Sequence, residues 1–260
     1  MLTEAEILTA AQALHASRQS ATARERLTAS LPELTLADAY RIQAAGIRLR
    51  LQGGETVVGY KMGLTSRAKR EQMNLDAPVF GVLTDAMAVR DGAFALPGSI
   101  HPKIEPEIAF VTGRELRGPV SDAEALAACT QVLAALEILD SRYVGFKYFS
   151  LPDVVADNSS SSHFALGEPC ADVAGLDLTA LHMVMSVDGA PVAEAESSAI
   201  SGHPIRSVVE LCALLAAEGR ALPAGSVVLA GAATIATELR SGMTVRLDVT
   251  GLPPVVVRVD

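Results

Sequence analysis

The pattern of hydrophobic and polar residues changes near residue 55 of the chain. Before that point, apolar side chains recur every three or four residues, which is typical of amphipathic helices. Thr3 followed by Glu6 is the capping-box pattern that precedes a first helix, and a second helix is predicted to begin near Thr35. Two consecutive glycines then end the second helix. The sequence therefore predicts a small helical amino-terminal region over residues 1–55.

The rest of the chain has short apolar runs and segments in which apolar and polar residues alternate, which is typical of strands. Asp188 and Gly189 between two extended runs predict a hairpin, and Ser121 with Glu124 predicts another capped helix. We predict one mixed-sheet α/β (α+β) domain over residues 56–260. Its strands are expected at 56–64, 78–83, 132–140 and 182–194, with three or four more over 226–259. Its helices are expected at 121–131 and 203–219, with a short helix or turn at 66–73.

Composition and charge narrow the classes of protein that the chain can belong to. Of 260 residues, half are hydrophobic and only 4% aromatic, and the formal net charge is −9. An acidic chain without a dense basic cluster is a poor candidate for nucleic-acid binding. The sequence has no apolar run near the ~20 residues that cross a bilayer, and its acidic amino terminus does not resemble a secretion signal. The three widely spaced cysteines (Cys129, Cys170 and Cys212) predict core thiols in a cytoplasmic protein rather than disulfides or a zinc site.

The segment HPKIEPEIAF at 101–110 is a further predicted strand, in which the three alternate residues Lys103, Glu105 and Glu107 are charged. Successive strand side chains point to opposite faces, so Lys103, Glu105 and Glu107 are expected to share one face. One interpretation is an edge strand with a solvated charged face, which Pro106 favours because proline is common at edges and bulges. The other is that two neighbouring carboxylates share a cation.

Glu137 lies inside the apolar run VLAALEILD, where a strand is expected to be buried. An unpaired carboxylate in such a place costs several kcal/mol or keeps a proton. Glu137 is therefore expected to pair with a cationic residue such as Arg142, to accept from a backbone amide, or to bind a cation. Three carboxylates on strands, without paired cysteines or an HExxH motif, favour Mg²⁺ or Mn²⁺ over Zn²⁺.

Four motifs stand in the order and spacing of one protein family. They are GYKMGLTS (59–66), HPKIEPEIAF (101–110), ALEILDSRY (135–143) and VVADNSSS (154–161). With them, nearly the whole chain resembles the hydratase/decarboxylase branch of the fumarylacetoacetate hydrolase superfamily. The resemblance implies a mixed β-sheet roll of the fumarylacetoacetate hydrolase C-terminal type. It also implies that Glu105, Glu107 and Glu137 hold the metal ion.

Position 79 separates the two activities of this branch. Its hydratases carry an aspartate there, which can position or activate water, whereas this chain has Val79 in PVFG. Lys69, and Lys147 after Phe146, also follow the decarboxylase pattern. The resemblance therefore implies loss of CO₂ from 2-oxo-3-hexenedioate, giving 2-hydroxypenta-2,4-dienoate, in the meta-cleavage pathway of catechol. A metal ion acting as a Lewis acid would stabilise the negative charge that develops.

Three other functions stay open at this point: a 2-hydroxypenta-2,4-dienoate hydratase, a carbon–carbon hydrolase of the same superfamily, and an inactive metal-binding subunit. The carbon–carbon hydrolase is disfavoured because the amino-terminal region has no convincing Glu–His pair. The resemblance also implies a homo-oligomer and a complex with the hydratase of the pathway. His163 departs from the family pattern, which is expected to affect contacts with the substrate more than the metal site.

Further residues are candidates for the site, and for Lys61 the resemblance itself implies a role. Lys61 belongs to the active-site motif and is expected to hydrogen-bond substrate or transfer a proton, although a lysine stem that buries while its head reaches water is the alternative. Lys103 is expected either to bind the departing carboxylate or to form a salt bridge with a glutamate. Asn158 orients water or belongs to a plain polar loop. The residues expected to bind substrate are Leu64, Ser160, Gly231 and Ala232, and Ser160 is a second candidate for orienting water.

Overall fold

A computed structural model of the chain describes residues 1–65, 78–146, 150–173 and 175–260. The helices in these residues are α1 (Glu4–Ser20), α2 (Leu27–Ser30), α3 (Leu36–Gln52), α4 (Asp122–Ala128), α5 (Leu151–Ala156) and α6 (Ile205–Ala217). The strands are β1 (Val57–Gly63), β2 (Val79–Thr84), β3 (Ala93–Phe94), β4 (Lys103–Thr112), β5 (Cys129–Leu139), β6 (Ser161–Leu166), β7 (His182–Val187), β8 (Ala190–Glu196), β9 (Val227–Leu229), β10 (Thr237–Glu238), β11 (Thr244–Val249) and β12 (Leu252–Val259). No described helix is long and apolar enough to span a membrane.

The helix-capping signals of the sequence are confirmed. Thr3 caps α1 in a reciprocal capping box with Glu6, and the hydroxyl of Thr35 accepts the Asp38 backbone N–H at the start of α3. Gly53 is the carboxyl-terminal cap of α3. Helices α1, α2 and α3 precede the first strand, and α1 packs along α3.

The strands form two sheets. In the first, the order is β2-β1-β9-β4-β5-β6, and β10 pairs with β4 beyond the end of β9. Strand β1 runs parallel to β9 and antiparallel to β2, so the sheet is mixed. The second sheet has the order β3-β12-β11-β7-β8, and its β7–β8 hairpin turns at Asp188 and Gly189, as predicted. The predicted fold class is confirmed.

Strand β5 has an apolar face on each side of the sheet. Its residues Leu136 and Ile138 join the main core, in which β11 and β12 of the second sheet lie against β5. Leu133 and Ala135 on the other face pack in a smaller cluster with Phe164. This second face also carries the charged residues of β4 and β5 described below.

The interpretation of 101–110 as an edge strand is wrong, since β4 lies between β5 on one side and β9 with β10 on the other. Pro106 is tolerated there because its carbonyl accepts the N–H of Ala233, in the loop between β9 and β10. The nitrogen and carbonyl of one strand residue point to the same side. The missing N–H of Pro106 therefore faces this loop, and no hydrogen bond to β5 is lost.

The helix predicted at 121–131 is shorter in the structure. It starts in the predicted capping box of Ser121 and Glu124 but ends at Ala128, and Cys129 already belongs to β5. Pairing with β4, in which Cys129 lies opposite Thr112, overrides the local helical pattern. The predicted helix or turn at 66–73, with Lys69, and the motif residue Lys147 lie outside the described residues.

Candidate metal centre and substrate cavity

Three glutamates meet on one face of β4 and β5, the face of β5 that also carries Leu133 and Ala135. The antiparallel register places Glu105 directly opposite Glu137, and directly opposed residues point to the same face. Glu107 is two residues further along β4 and therefore shares that face. Carboxylate oxygens of all three residues lie within 4.8 Å of one another, and all three side chains are buried.

Lys61 brings a positive charge to this cluster from β1. It pairs with Leu229 of β9, which pairs with Ala109 of β4, so the three residues form one row across the sheet. The ammonium nitrogen of Lys61 is 2.9 Å from Oε2 of Glu137, and Lys61 is only 3% exposed. The alternative in which its head reaches water is therefore wrong.

Burial and charge act together on the ionisable groups of the cluster. Burial alone would lower the pKa of Lys61, but Glu137, Glu105 and Glu107 outweigh it, and the pKa is raised. Burial, followed by the charges of Glu137 and Glu105, raises the pKa of Glu107 well above its usual value. Within the described residues, one ammonium thus faces three carboxylates, which leaves a formal excess of negative charge in a buried place.

The glutamate cluster fits a divalent cation. Oε2 of Glu107 accepts the N–H of Gly231 at 2.8 Å, but Oε1 is buried and has no hydrogen-bond partner in the part of the chain that the structure describes. A buried carboxylate oxygen without a partner is costly unless a cation or a proton satisfies it. Three carboxylates are the oxygen donors that Mg²⁺ and Mn²⁺ prefer.

Arg142, the cationic partner considered for Glu137 from the sequence, is engaged elsewhere. Its guanidinium forms a buried ion pair with Asp157 and donates to the carbonyls of Asp140 and Ser161. Among the described residues, Glu137 forms an ion pair with Lys61 at Oε2 and accepts a hydrogen bond at Oε1 from the hydroxyl of Ser161, at 2.9 Å. Burial raises the pKa of Asp157 to about 6, against the opposing effect of Arg142.

A cavity of about 270 Å³ opens beside the glutamates. Its described polar lining includes Lys61, Lys103, Glu105, Ser141, Tyr143 and Ser160, and its described apolar lining includes Leu64, Val79, Leu139, Phe146, Val154 and Ile235. Glu107 and Glu137 lie behind this wall and are fully buried. The cavity therefore combines an acidic end, two ammonium groups and apolar walls.

The structure brings most of the predicted substrate-binding residues to this cavity. Leu64, Ser160 and Ala232 line it. Gly231 does not, because its N–H is directed to Glu107. Its φ of +104° and the 2.4 Å that would separate a Cβ atom from Oγ1 of Thr65 explain why only glycine fits at this position.

Lys103 lies on the predicted face, and its ammonium nitrogen is 4.6 Å from the centre of the Phe146 ring. Asn158 is engaged in the framework, since its side-chain amide both accepts from and donates to the backbone of Val82, at 2.8 and 2.9 Å. Ser141 and Tyr143 line the cavity but were not among the predicted site residues, although both belong to the motif ALEILDSRY. Ser161, the last residue of VVADNSSS, was not among the predicted site residues either.

His163 and the cysteines are separate from the glutamate cluster. The imidazole of His163 contacts the Phe94 ring, and burial lowers the pKa of His163 to about 4. Cys129 and Cys212 are buried in the main core, and Cys170 packs against it, all as free thiols. His203 lies just before α6, where its Nδ1 accepts the N–H of Ile205. Its predicted place at a helix start is confirmed.

Comparison with known proteins identifies the class. Residues 56–260 match the model of the family described as fumarylacetoacetate (FAA) hydrolase C-terminal. The chain belongs to this family, as the four sequence motifs predicted.

Individual relatives show which members of the family this chain resembles. The chain is 46% identical to a 4-oxalocrotonate decarboxylase from Pseudomonas sp. over 246 residues, which cover 93% of each chain. It is 41% identical to a 2-hydroxyhexa-2,4-dienoate hydratase from Comamonas testosteroni, with 86% of each chain covered. The solved structure of 4-oxalocrotonate decarboxylase from Pseudomonas putida G7, complexed with magnesium and adipate, superimposes with a TM-score of 0.96. That comparison covers 100% of this chain and 99% of the other at 36% identity.

Proposed function

We propose that the chain is a carboxy-lyase that removes CO₂ from 2-oxo-3-hexenedioate and forms 2-hydroxypenta-2,4-dienoate, with Mg²⁺ as its cofactor and Mn²⁺ as the alternative ion. The observation that carries the proposal is the cavity, in which two lysines and the glutamate cluster surround a space with apolar walls. A six-carbon diacid has a carboxylate at each end and needs positive charge at both. The related decarboxylase from Pseudomonas putida G7 was solved with magnesium and adipate, which is a saturated six-carbon diacid.

In this proposal, Glu105, Glu107 and Glu137 hold the ion. When bound, a divalent ion polarises the 2-keto group and stabilises the negative charge that develops on its oxygen. The unpartnered Oε1 of Glu107 and the mutual approach of the three carboxylates support this assignment. The N–H of Gly231 fixes the other oxygen of Glu107, which orients the carboxylate.

The reaction that this site would promote balances without an external reactant. The bond between C5 and the distal carboxylate breaks, and its electron pair forms the C4=C5 double bond. The C3=C4 electrons move to C2=C3, and the keto oxygen becomes an enolate oxygen. That oxygen takes one proton, which gives the dienol product, and CO₂ leaves.

Lys61 is proposed to hold and deliver this proton. Its ammonium is buried beside Glu137, and its raised pKa keeps it protonated until the enolate forms. Lys103, which also lines the cavity, is proposed to bind the distal carboxylate through its charge. Leu64 and Val79 exclude water from the diene, and Ser160 and Ala232 complete the substrate contacts.

A 2-hydroxypenta-2,4-dienoate hydratase is the second candidate, because the chain is 41% identical to a dienoate hydratase. Val79 favours the decarboxylase, since it places an apolar side chain on the cavity wall, at the position where the family resemblance implies an aspartate in the hydratases. Hydration requires a group that positions or activates water, and valine does neither.

The test is to follow the ultraviolet absorbance of both substrates with the purified chain, with Mg²⁺ and then with EDTA. We expect metal-dependent loss of 2-oxo-3-hexenedioate, no turnover by Glu105→Gln, and normal turnover by the exposed control Glu33→Gln. Consumption of 2-hydroxypentadienoate alone would establish the hydratase instead. Unchanged turnover by Glu105→Gln would refute the metal assignment.

We also propose that the chain works in the cytoplasm as a homo-oligomer that associates with the hydratase of its pathway. The product is a reactive dienol, so direct transfer to the enzyme that consumes it would limit its loss. Light scattering on the chain alone and on a mixture with the hydratase tests this. We expect a mass above that of one 27.1 kDa chain, and a further increase in the mixture.

A further inference from the structure

The turn that follows α5 has an unusual backbone. Asn158, Ser159 and Ser160 all adopt left-handed conformations, with φ of 51°, 53° and 57°. Residues other than glycine rarely do so, and consecutive instances are rarer still, because Cβ approaches the next carbonyl oxygen. Such a conformation persists only where its surroundings enforce it, and it clusters at functional sites.

Contacts on both sides hold this turn in place. The Asn158 amide makes two hydrogen bonds to the Val82 backbone, and the hydroxyl of Ser159 donates to the carbonyl of Phe80 at 3.1 Å. On the other side, the guanidinium of Arg142 contacts both the side chain and the carbonyl of Asp157. It also donates to the carbonyl of Ser161 at 3.2 Å.

The result of these contacts is the position of one hydroxyl. Ser161 is buried, and its Oγ donates to Oε1 of Glu137 at 2.9 Å, while Lys61 lies 2.9 Å from Oε2 of the same carboxylate. The terminal torsion of a glutamate is broad and fixed weakly by its own rotamer preference. Two contacts on different oxygens define the plane of the Glu137 carboxylate.

We infer that Ser161 is a positioning residue of the metal centre, fixed in the turn by the Arg142–Asp157 ion pair, and that it orients Glu137 for metal binding. The inference rests on the proposed function, since it takes Glu137 as a metal ligand. Hydrogen bonds to ligating carboxylates commonly set metal affinity in this way, and their loss typically weakens binding 10- to 100-fold.

The test measures Mn²⁺ affinity of the metal-stripped full-length chain by calorimetry, independently of turnover. We expect Ser161→Ala to weaken binding about 10-fold and Ser161→Thr, which keeps the hydroxyl, to bind more tightly than Ser161→Ala. Ser162→Ala is the matched control, because the hydroxyl of Ser162 contacts His163 instead. It is expected to bind like the wild type.

Equal affinity of Ser161→Ala and the wild type would overturn the inference. An equal loss in Ser161→Ala and Ser162→Ala would also overturn it, because it would show general loosening of β6. Glu137→Gln tests the assumption separately. If that variant binds Mn²⁺ as tightly as the wild type, Glu137 is not a ligand, and the proposed metal centre fails together with this inference.

Discussion

Replacement of Glu107 by glutamine is expected to have opposite effects on stability with and without metal. Glu107 is fully buried, its Oε1 has no hydrogen-bond partner among the described residues, and two other carboxylates lie nearby. Without metal, the negative charge of Glu107 in this buried place destabilises the fold. Glutamine has the same shape, keeps an oxygen for the N–H of Gly231 and removes the repulsion.

The magnitudes follow from burial and from mass action. In EDTA, we expect Glu107→Gln to raise the free energy of unfolding by about 1–3 kcal/mol, which is the usual range for an unsatisfied buried polar group. With free Mn²⁺ at about 1,000 times its Kd, the wild type gains ~4.1 kcal/mol, which exceeds the stabilisation expected for the variant. The variant loses a metal ligand and is expected to gain almost nothing.

The pH dependence has a defined sign. Because the pKa of Glu107 is raised in the folded state above its usual value of 4.5, the protonated carboxyl stabilises the fold at low pH. This contribution is lost as the pH rises from 4.5 through the raised pKa. The metal-free wild type should therefore lose stability over this range relative to Glu107→Gln.

Urea unfolding in EDTA and in excess Mn²⁺ measures both effects, with the exposed substitution Glu33→Gln as the control. The reasoning would be refuted if Glu107→Gln were less stable than the wild type in EDTA and still gained stability from Mn²⁺. That result would mean that Oε1 of Glu107 neither repels the neighbouring carboxylates nor binds a cation.

Three further predictions concern Lys61, Val79 and His163. Lys61→Met should lower kcat by about 10²–10⁴ and destabilise the metal-free chain, because Glu137 loses its cation; stopped-flow absorbance and urea unfolding check this. Val79→Asp should lower decarboxylation at least ~10-fold by repelling the diacid and should allow some hydration, whereas Val79→Asn, which adds no charge, should be less affected. His163→Gln should make the free energy of unfolding less sensitive to acid. The pKa of His163 is lowered to about 4 in the folded chain, so the neutral imidazole is fully compatible with the fold above pH 6.5, and stability is lost as the pH falls towards 4. Urea unfolding across this pH range should show that the variant loses about 2–3 kcal/mol less free energy of unfolding than the wild type.

The glutamate cluster was predictable because it depends on local alternation. Glu105 and Glu107 share a face in any regular strand, and a carboxylate in the apolar run around Glu137 needs a partner. That all three glutamates lie together depends also on a long-range feature, the strand register that places Glu105 opposite Glu137. The family motifs implied that arrangement, whereas the spacing of the residues did not.

Three wrong interpretations have their cause in contacts between segments that are separated in the sequence. Pro106 favoured an edge strand, but the loop between β9 and β10 lies on the side of β4 where proline lacks an N–H, so Pro106 is accommodated inside the sheet. Arg142 is close enough in sequence to pair with Glu137, but it forms an ion pair with Asp157 instead. The early end of α4 at Ala128 has the same cause, because pairing with β4 begins at Cys129.

Ser161 illustrates a different difficulty. Four consecutive serines give no sign of which hydroxyl faces the glutamates, because that choice depends on three left-handed residues in a row. Serine has no intrinsic preference for this conformation. The packing of Asn158 against β2 and of Arg142 against Asp157 imposes it.

The most direct test of a metal-dependent decarboxylase is release of labelled CO₂ from 2-oxo-3-hexenedioate that carries the label in its distal carboxylate. The metal-stripped chain should release none, and added Mg²⁺ should restore release in proportion to the occupied sites. Release at the same rate in EDTA, or loss of substrate without labelled CO₂, would contradict the account.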